Sequence, residues 1–279
     1  MLIPSSVDFV PSTPTSGNRS YNRMGSLVSA CIFDLDATLV SSYPGTGQIW
    51  YNLETQPADG EPQSGYDFWL GETSASGTND PTFIGSADSP SASWQFDGGD
   101  YFQIASGNSQ FLSKYHMATA YGGGTDYGLV VVGRGFNGGS TYGLCGNTRG
   151  TAGHGAAVWF LTNNTFRHRN TPGVVDHDSS AACPTSVASN FFAVITHSHQ
   201  QNKSTYWINK GTSESATHTF ASANATNIRF QLFASGSAQF IMQASTRFYA
   251  VSMYNKFLTA ADVSAIMTEY GTRHGRTYI

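Results

Sequence analysis

Short runs of β-branched and aromatic residues, each closed by a glycine-, asparagine- or serine-bearing turn, recur from Leu27 to Tyr254 and constrain the fold of this chain more than any other feature. Leu27–Leu35, Ala92–Phe96, Tyr101–Ala105, Leu129–Val132, Ala156–Leu161, Phe191–His197, Thr205–Asn209, Ile228–Phe233 and Phe248–Tyr254 have the length and residue types of strands. Two hairpins are expected: Ala193–Asn209 folding over His199–Lys203, and Trp94–Ile104 folding over Asp97–Asp100. In Thr205–Asn209, alternation sends Tyr206 and Ile208 to one face and Trp207 to the other. Thr55–Ser91, rich in Ser, Gly, Pro and Asp, reads as a long surface excursion. One helix is expected near the end. Thr259 caps it, Asp262 suits its first turn, Val263, Ile266, Met267 and Tyr270 form one apolar stripe, and Gly271 offers a stop. The pattern predicts an all-β, two-sheet antiparallel sandwich with a single short C-terminal helix.

The surface chemistry agrees. Charged residues make up 11% of the chain, against roughly 25% in an ordinary soluble domain, so hydroxyls and amides must face water. A net charge of −4 argues against a nucleic-acid partner. No apolar stretch approaches the roughly 20 residues of a membrane helix, so no membrane insertion is expected. Cys31, Cys145 and Cys183 are too far apart for a Cys-x-x-Cys site and read as buried thiols. Residues 1–26, broken by Pro4, Pro11 and Pro14, read as an extended arm that docks on a neighbour, leaving 27–279 as the sandwich. No export signal is visible at the N-terminus.

Two segments imitate enzyme motifs. Cys31-Ile-Phe-Asp34-Leu-Asp36-Ala-Thr38 resembles the first motif of haloacid dehalogenase-like phosphatases, in which the first Asp attacks phosphorus, the second acts as acid/base and both help hold Mg²⁺. That chemistry needs a helix next, and Ser41-Ser-Tyr-Pro-Gly-Thr-Gly47 cannot start one. Asp34 and Asp36 then share one strand face, turned to solvent or capping a turn. Gly133-Arg-Gly135-Phe-Asn-Gly138 has dinucleotide-site spacing but lacks the helix whose amides would hold a pyrophosphate. No cofactor is expected.

The same early segment fits another family better. Phe33-Asp-Leu-Asp36-Ala, followed by Ser42-Tyr-Pro-Gly-Thr-Gly and Trp50-Tyr-Asn-Leu53, resembles the opening of concanavalin A-like, laminin-G-like jelly rolls of phage structural proteins. Trp94-Gln-Phe-Asp97-Gly-Gly-Asp100-Tyr, Gly155–Phe160 with Thr165–Arg169, Phe191–Thr196 with Thr205–Gly211, and Phe248–Asp262 resemble later elements in family order. The resemblance spans about Val28 to Tyr270 and implies a jelly roll.

This fold hosts several functions, so residues must decide. No pair among Glu54, Glu61, Glu72, Glu214 and Glu269 has the Glu-x-Asp-x-x-Glu spacing of the superfamily's hydrolases, so a non-enzymatic chain is expected. Asp176, His177 and Asp178 are rim candidates for a metal, with His154, His168, His197 and His199 elsewhere. Trp50, Trp69, Trp94, Trp159 and Trp207 could stack on sugars, although Trp94, Trp159 and Trp207 sit within strands and suit a core. The leading expectation is a phage virion protein (capsid decoration, fibre or tail-associated) that docks on other virion proteins through its arm, forms a homo-oligomer and presents its jelly roll to host surface glycans. The alternative is a free-standing carbohydrate- or protein-binding module of a bacterial surface protein.

Overall fold

A computed structural model describes residues 27, 29–106, 113–116, 119–121, 123–135, 140–147, 155–171, 175–184, 189–209, 214–217, 229–236, 238 and 240–278. The expected arm, residues 1–26, lies outside them. Among the described residues sixteen strands follow in order: β1 (Cys31–Asp36), β2 (Ile49–Trp50), β3 (Phe68–Leu70), β4 (Thr82–Ile84), β5 (Ser93–Gln95), β6 (Phe102–Ile104), β7 (Tyr127–Arg134), β8 (Tyr142–Gly146), β9 (Gly155–Phe160), β10 (Thr165–Thr171), β11 (Val175–Ala182), β12 (Asn190–Ser198), β13 (Lys203–Ile208), β14 (Glu214–Thr217), β15 (Gln231–Leu232) and β16 (Arg247–Tyr254). A helix, α1 (Ala260–His274), closes the chain.

The strands form two sheets. The first has the order β14-β13-β12-β7-β16-β5-β4, with β1 also on β16; the second runs β11-β10-β9-β8-β15-β6-β3-β2. Every pairing between named strands is antiparallel. This is the expected jelly-roll sandwich. It removes the phosphatase reading, because β1 leads by a turn at Ala37–Leu39 into more sheet and not into a helix.

Central strands of the first sheet are apolar at successive positions because both faces are covered. On β7 and β12, Leu129, Val131, Phe191, Ala193 and Ile195 face the second sheet. Val130, Val132, Phe192 and Val194 pack beneath α1 instead. On β13, Tyr206 and Ile208 lie between the sheets and Trp207 lies on the outer face, as alternation requires.

Thr259 and Asp262 form a capping box for α1, worth about 1 kcal/mol. Val263, Ile266 and Tyr270 are buried on the sheet. At about 1.5–3 kcal/mol for each such side chain, docking, not capping, decides that this helix persists. The helix passes the expected stop at Gly271 and ends at Gly275, which takes the left-handed conformation (φ 61°). Gly271 is needed for a different reason: a Cβ there would sit 2.9 Å from the Arg276 carbonyl oxygen.

Two further expectations are corrected. The Trp94–Ile104 segment is not a hairpin, since β5 belongs to the first sheet and β6 to the second. Its turn, with Gly98 at φ 103°, carries the chain across the sandwich and brings Trp94 edge-on to Phe102 at 5.1 Å. Thr55–Ser91 is not only a surface excursion. It contributes β3 and β4 and buries Tyr66, Phe68 and Leu70 in the core. Three-residue strands leave too short a pattern to register by alternation. No disulfide joins the three cysteines, which are buried as expected.

Candidate functional site

The outer face of the first sheet is occupied. Asp34 and Asp36 share one face of β1, as expected, but that face is buried against α1 and does not meet solvent. Asp34 accepts from the Tyr270 hydroxyl at 2.6 Å and from Arg273 at 3.4 Å. Asp36 accepts from Arg273 at 2.7 Å, lies 3.1 Å from the His274 Nε2, and caps the turn at Thr38 through both backbone and hydroxyl. Burial alone would raise the Asp36 carboxyl. The charges and hydrogen bonds of His274 and Arg273 outweigh it and hold the group well below the usual carboxylate range. The phosphatase-like motif is therefore the anchor of the C-terminal helix.

Between the sheets, Tyr115, Tyr127, Leu129, Cys145, Val158, His168, Phe230 and Met253 line a cavity of about 40 Å³. This volume holds a water molecule, not a sugar. His168 is bonded to the Tyr127 hydroxyl at 2.6 Å, and His197 to the Ser204 hydroxyl at 2.8 Å. His199 lies beyond the end of β12, edge-on to His197 at 4.8 Å, and bonds the Tyr115 carbonyl. Burial lowers the His199 pKa and favours its neutral form. These histidines are interior hydrogen-bonding groups, and His154 lies outside the described residues.

Of the rim candidates, Asp178 is engaged by Arg167 in a two-pronged ion pair at 2.6 and 2.7 Å. Asp176 and His177 lie on β11 with Cα positions opposite Arg169 and His168; their side chains are outside the described residues. Among the described residues, no three His, Cys, Asp or Glu side chains converge as a metal site.

The outer face of the second sheet carries aromatic, amide and guanidinium side chains, of which Trp69 is half-buried and Gln103, Gln231, Trp159 and Arg169 are buried. One register line crosses all eight strands: Ile49, Trp69, Gln103, Gln231, Gly146, Ala157, Arg169 and Asp176. Directly opposed residues of antiparallel strands project to one side. Trp69, Gln103 and Gln231 are thus set out of phase with the inward Phe68, Leu70, Phe102, Ile104 and Leu232. Trp69 lies beneath the Arg229 guanidinium at 5.0 Å. Gln231 donates to Gln103 at 3.0 Å, and Gln103 donates to the Glu72 carbonyl at 2.7 Å, which fixes both amides.

One residue-pair along, Trp159 is flanked by Arg169 at 4.4 Å and Phe240 at 4.8 Å. Trp159 is buried, as expected for a strand tryptophan, yet it belongs to neither apolar cluster. Trp50 and Trp94 do belong to the core. Sequence reasoning passed over Gln103, Gln231 and Phe240. Period-two alternation could have placed the two glutamines outward, whereas Phe240 follows no strand pattern. Aromatic faces suit the C–H faces of sugars, while amides and guanidinium groups suit hydroxyls and carboxylates.

No family model and no curated protein matches the chain. Solved structures do match in fold. The binding domain of Paraclostridial Mosquitocidal Protein 1 superposes with a TM-score of 0.58 at 13% identity, over 88% of this chain and 53% of that one. The binding domain of Botulinum Neurotoxin DC, solved in complex with SialylT, gives 0.57 at 10% identity over 89% and 52%. Trypanosoma rangeli sialidase in complex with 2,3-difluoro-KDN gives 0.53 at 12% identity over 92% and 35%. The chain thus spans about half the length of the toxin domains and a third of the sialidase. The expectation of a non-enzymatic chain is corrected by the sialidases, in which this architecture occurs as about a third of the chain. At these identities the likenesses establish architecture: the chain is an all-β, two-sheet antiparallel jelly-roll sandwich with one C-terminal helix.

Proposed function

We propose that the chain is a carbohydrate-binding module whose site is the outer face of the second sheet. The observation that carries this reading is the register line of flat and amide-bearing side chains across that face, Trp69, Gln103, Gln231 and Arg169 with Trp159 beside it. The opposite face of the sandwich is filled by α1. The fold likeness to a toxin binding domain solved with SialylT supports sialylated glycans as the first class to test. On an array of sialylated and neutral oligosaccharides, the intact protein is expected to retain a subset of spots and Trp69→Ala to lose them. Retention unchanged in the double variant Trp69→Ala/Trp159→Ala would refute this face as the site.

Residence on a phage particle, with residues 1–26 docked on neighbouring virion proteins in a homo-oligomer, rests on the sequence resemblance and on the composition of that arm. Deleting residues 1–26 is expected to abolish incorporation into particles while the sandwich stays folded. Normal incorporation of the truncated chain contradicts docking by the arm.

A further inference from the structure

We propose that the Trp159 indole is the principal sugar-stacking subsite of this module and that the Phe240 ring is its displaceable cover. The inference rests on the glycan-binding reading and adds a specific subsite and a gate to it. Phe240 is one of three exposed large apolar side chains among the described residues, 39% accessible, although it lies against Trp159. A phenyl ring that is partly in water gains less from its contact with an indole than a fully buried one, so a ligand that stacks on the indole can compete with it.

Its backbone, by contrast, is fixed. The Phe240 carbonyl accepts from the Gly143 N–H, Ala238 N–H donates to Gln231 at 2.9 Å, and Met242 N–H donates to the Phe233 carbonyl at 2.9 Å. Ala238 and Phe240 are both held left-handed, at φ 51° and 52°, a conformation that L-residues with a Cβ seldom adopt. Gly143 lets the Ala234–Ser235 backbone pack against β8, since a Cβ there would meet the Ala234 carbonyl carbon at 2.5 Å. With the main chain held at Ala238, Phe240 and Met242, rotation of the ring about χ1 is the motion that would uncover Trp159.

What it uncovers is suited to a pyranose. Trp159 is 3% accessible, and among the described residues its indole Nε1–H, like those of the core residues Trp50 and Trp94, is buried without a hydrogen-bond acceptor. A buried donor left unsatisfied is costly and asks for a partner. A sugar ring stacked on the indole in place of the phenyl brings hydroxyl oxygens to the ring edge, where one can accept from that N–H. Arg169 at 4.4 Å sets the other boundary of the subsite.

The test measures affinity for a glycan retained on the array, using the full chain as wild type, Phe240→Ala, Trp159→Phe and Trp159→Ala. Thermal melts establish that each variant is folded. Removing the cover is expected to tighten binding by at least about threefold, a change of about 0.65 kcal/mol. Trp159→Phe, which keeps a ring but loses the N–H, is expected to weaken binding about tenfold, and Trp159→Ala to abolish it. A glycan bound by Phe240→Ala and not by wild type also supports the gate. If Phe240→Ala weakens binding as much as the Trp159 variants do, the cover is overturned and Phe240 is an ordinary contact, with the module reading intact. If Trp159→Phe and Trp159→Ala bind as wild type does while Trp69→Ala fails, the subsite lies elsewhere on the face. If neither wild type nor Phe240→Ala binds any glycan, both readings fall.

Discussion

Asp100 illustrates how a single side chain in this sandwich reports its surroundings. It sits in the turn that crosses from β5 to β6, is almost fully buried, and accepts the Asp97 N–H at 2.8 Å. Burial, with a further push from the Asp97 charge, raises its pKa from 3.8 to about 6. A carboxyl whose folded pKa lies above its unfolded value stabilises the fold at acid pH and loses that contribution as pH rises from about 4 through 6. Asp100→Asn keeps the acceptor and never ionises. It is therefore expected to raise the melting temperature by about 2–4 °C at pH 8 and to leave it unchanged at pH 4. Equal shifts at both pH values would contradict a buried, strained carboxylate. The sequence marked Asp97–Asp100 as a turn and was right; it could not disclose which two sheets the turn joins, because that depends on partners far along the chain.

At the scale of the element, α1 and β1 are one unit. Arg273 meets Asp34, Asp36 and Glu269, and its side chain is only 9% accessible, so the cluster is shielded from screening. Removing Asp36 leaves Arg273 paired with Asp34 and Glu269 but deletes its 2.7 Å charged hydrogen bond, at a cost of about 1.5–3 kcal/mol. Asp36→Asn is expected to lower unfolding stability by that amount in urea titration, since the new amide would point a donor at Arg273. A loss below about 1 kcal/mol would show the contact to be an ordinary surface pair. Because the folded Asp36 carboxyl is held below its normal range, its contribution is present at neutral pH and is lost only under strongly acid conditions. The apolar stripe and the Thr259 cap of α1 and the strand of β1 were legible in sequence; the reciprocal bond that makes Thr259 and Asp262 a capping box came from the structure. The clamp was not, because Asp34 and Asp36 gain their meaning from Arg273 and His274, some 240 residues away in the chain.

For the whole molecule, strand content and sheet class followed from residue periodicity because alternation is a local property. Pairing order did not: β2, β3 and β4 are too short to announce themselves, and they form one edge of each sheet. The edges at the other end are tied together, with Glu214 on β14 accepting from the Ser180 backbone and hydroxyl on β11. The interior cavity is too small for a sugar, and α1 packs on the outer face of the first sheet, so the proposed glycan site is assigned to the aromatic and amide side chains of the second sheet's outer face. That division of labour is the central claim, and the five tryptophans test it in one experiment. In a ¹H–¹⁵N titration of the intact protein with a retained oligosaccharide, the indole signals of Trp159 and Trp69 are expected to shift. Those of Trp50 and Trp94, sealed between the sheets, should stay in place. Binding at saturation with Trp159 and Trp69 both unmoved, or with only Trp207 responding, would contradict the account.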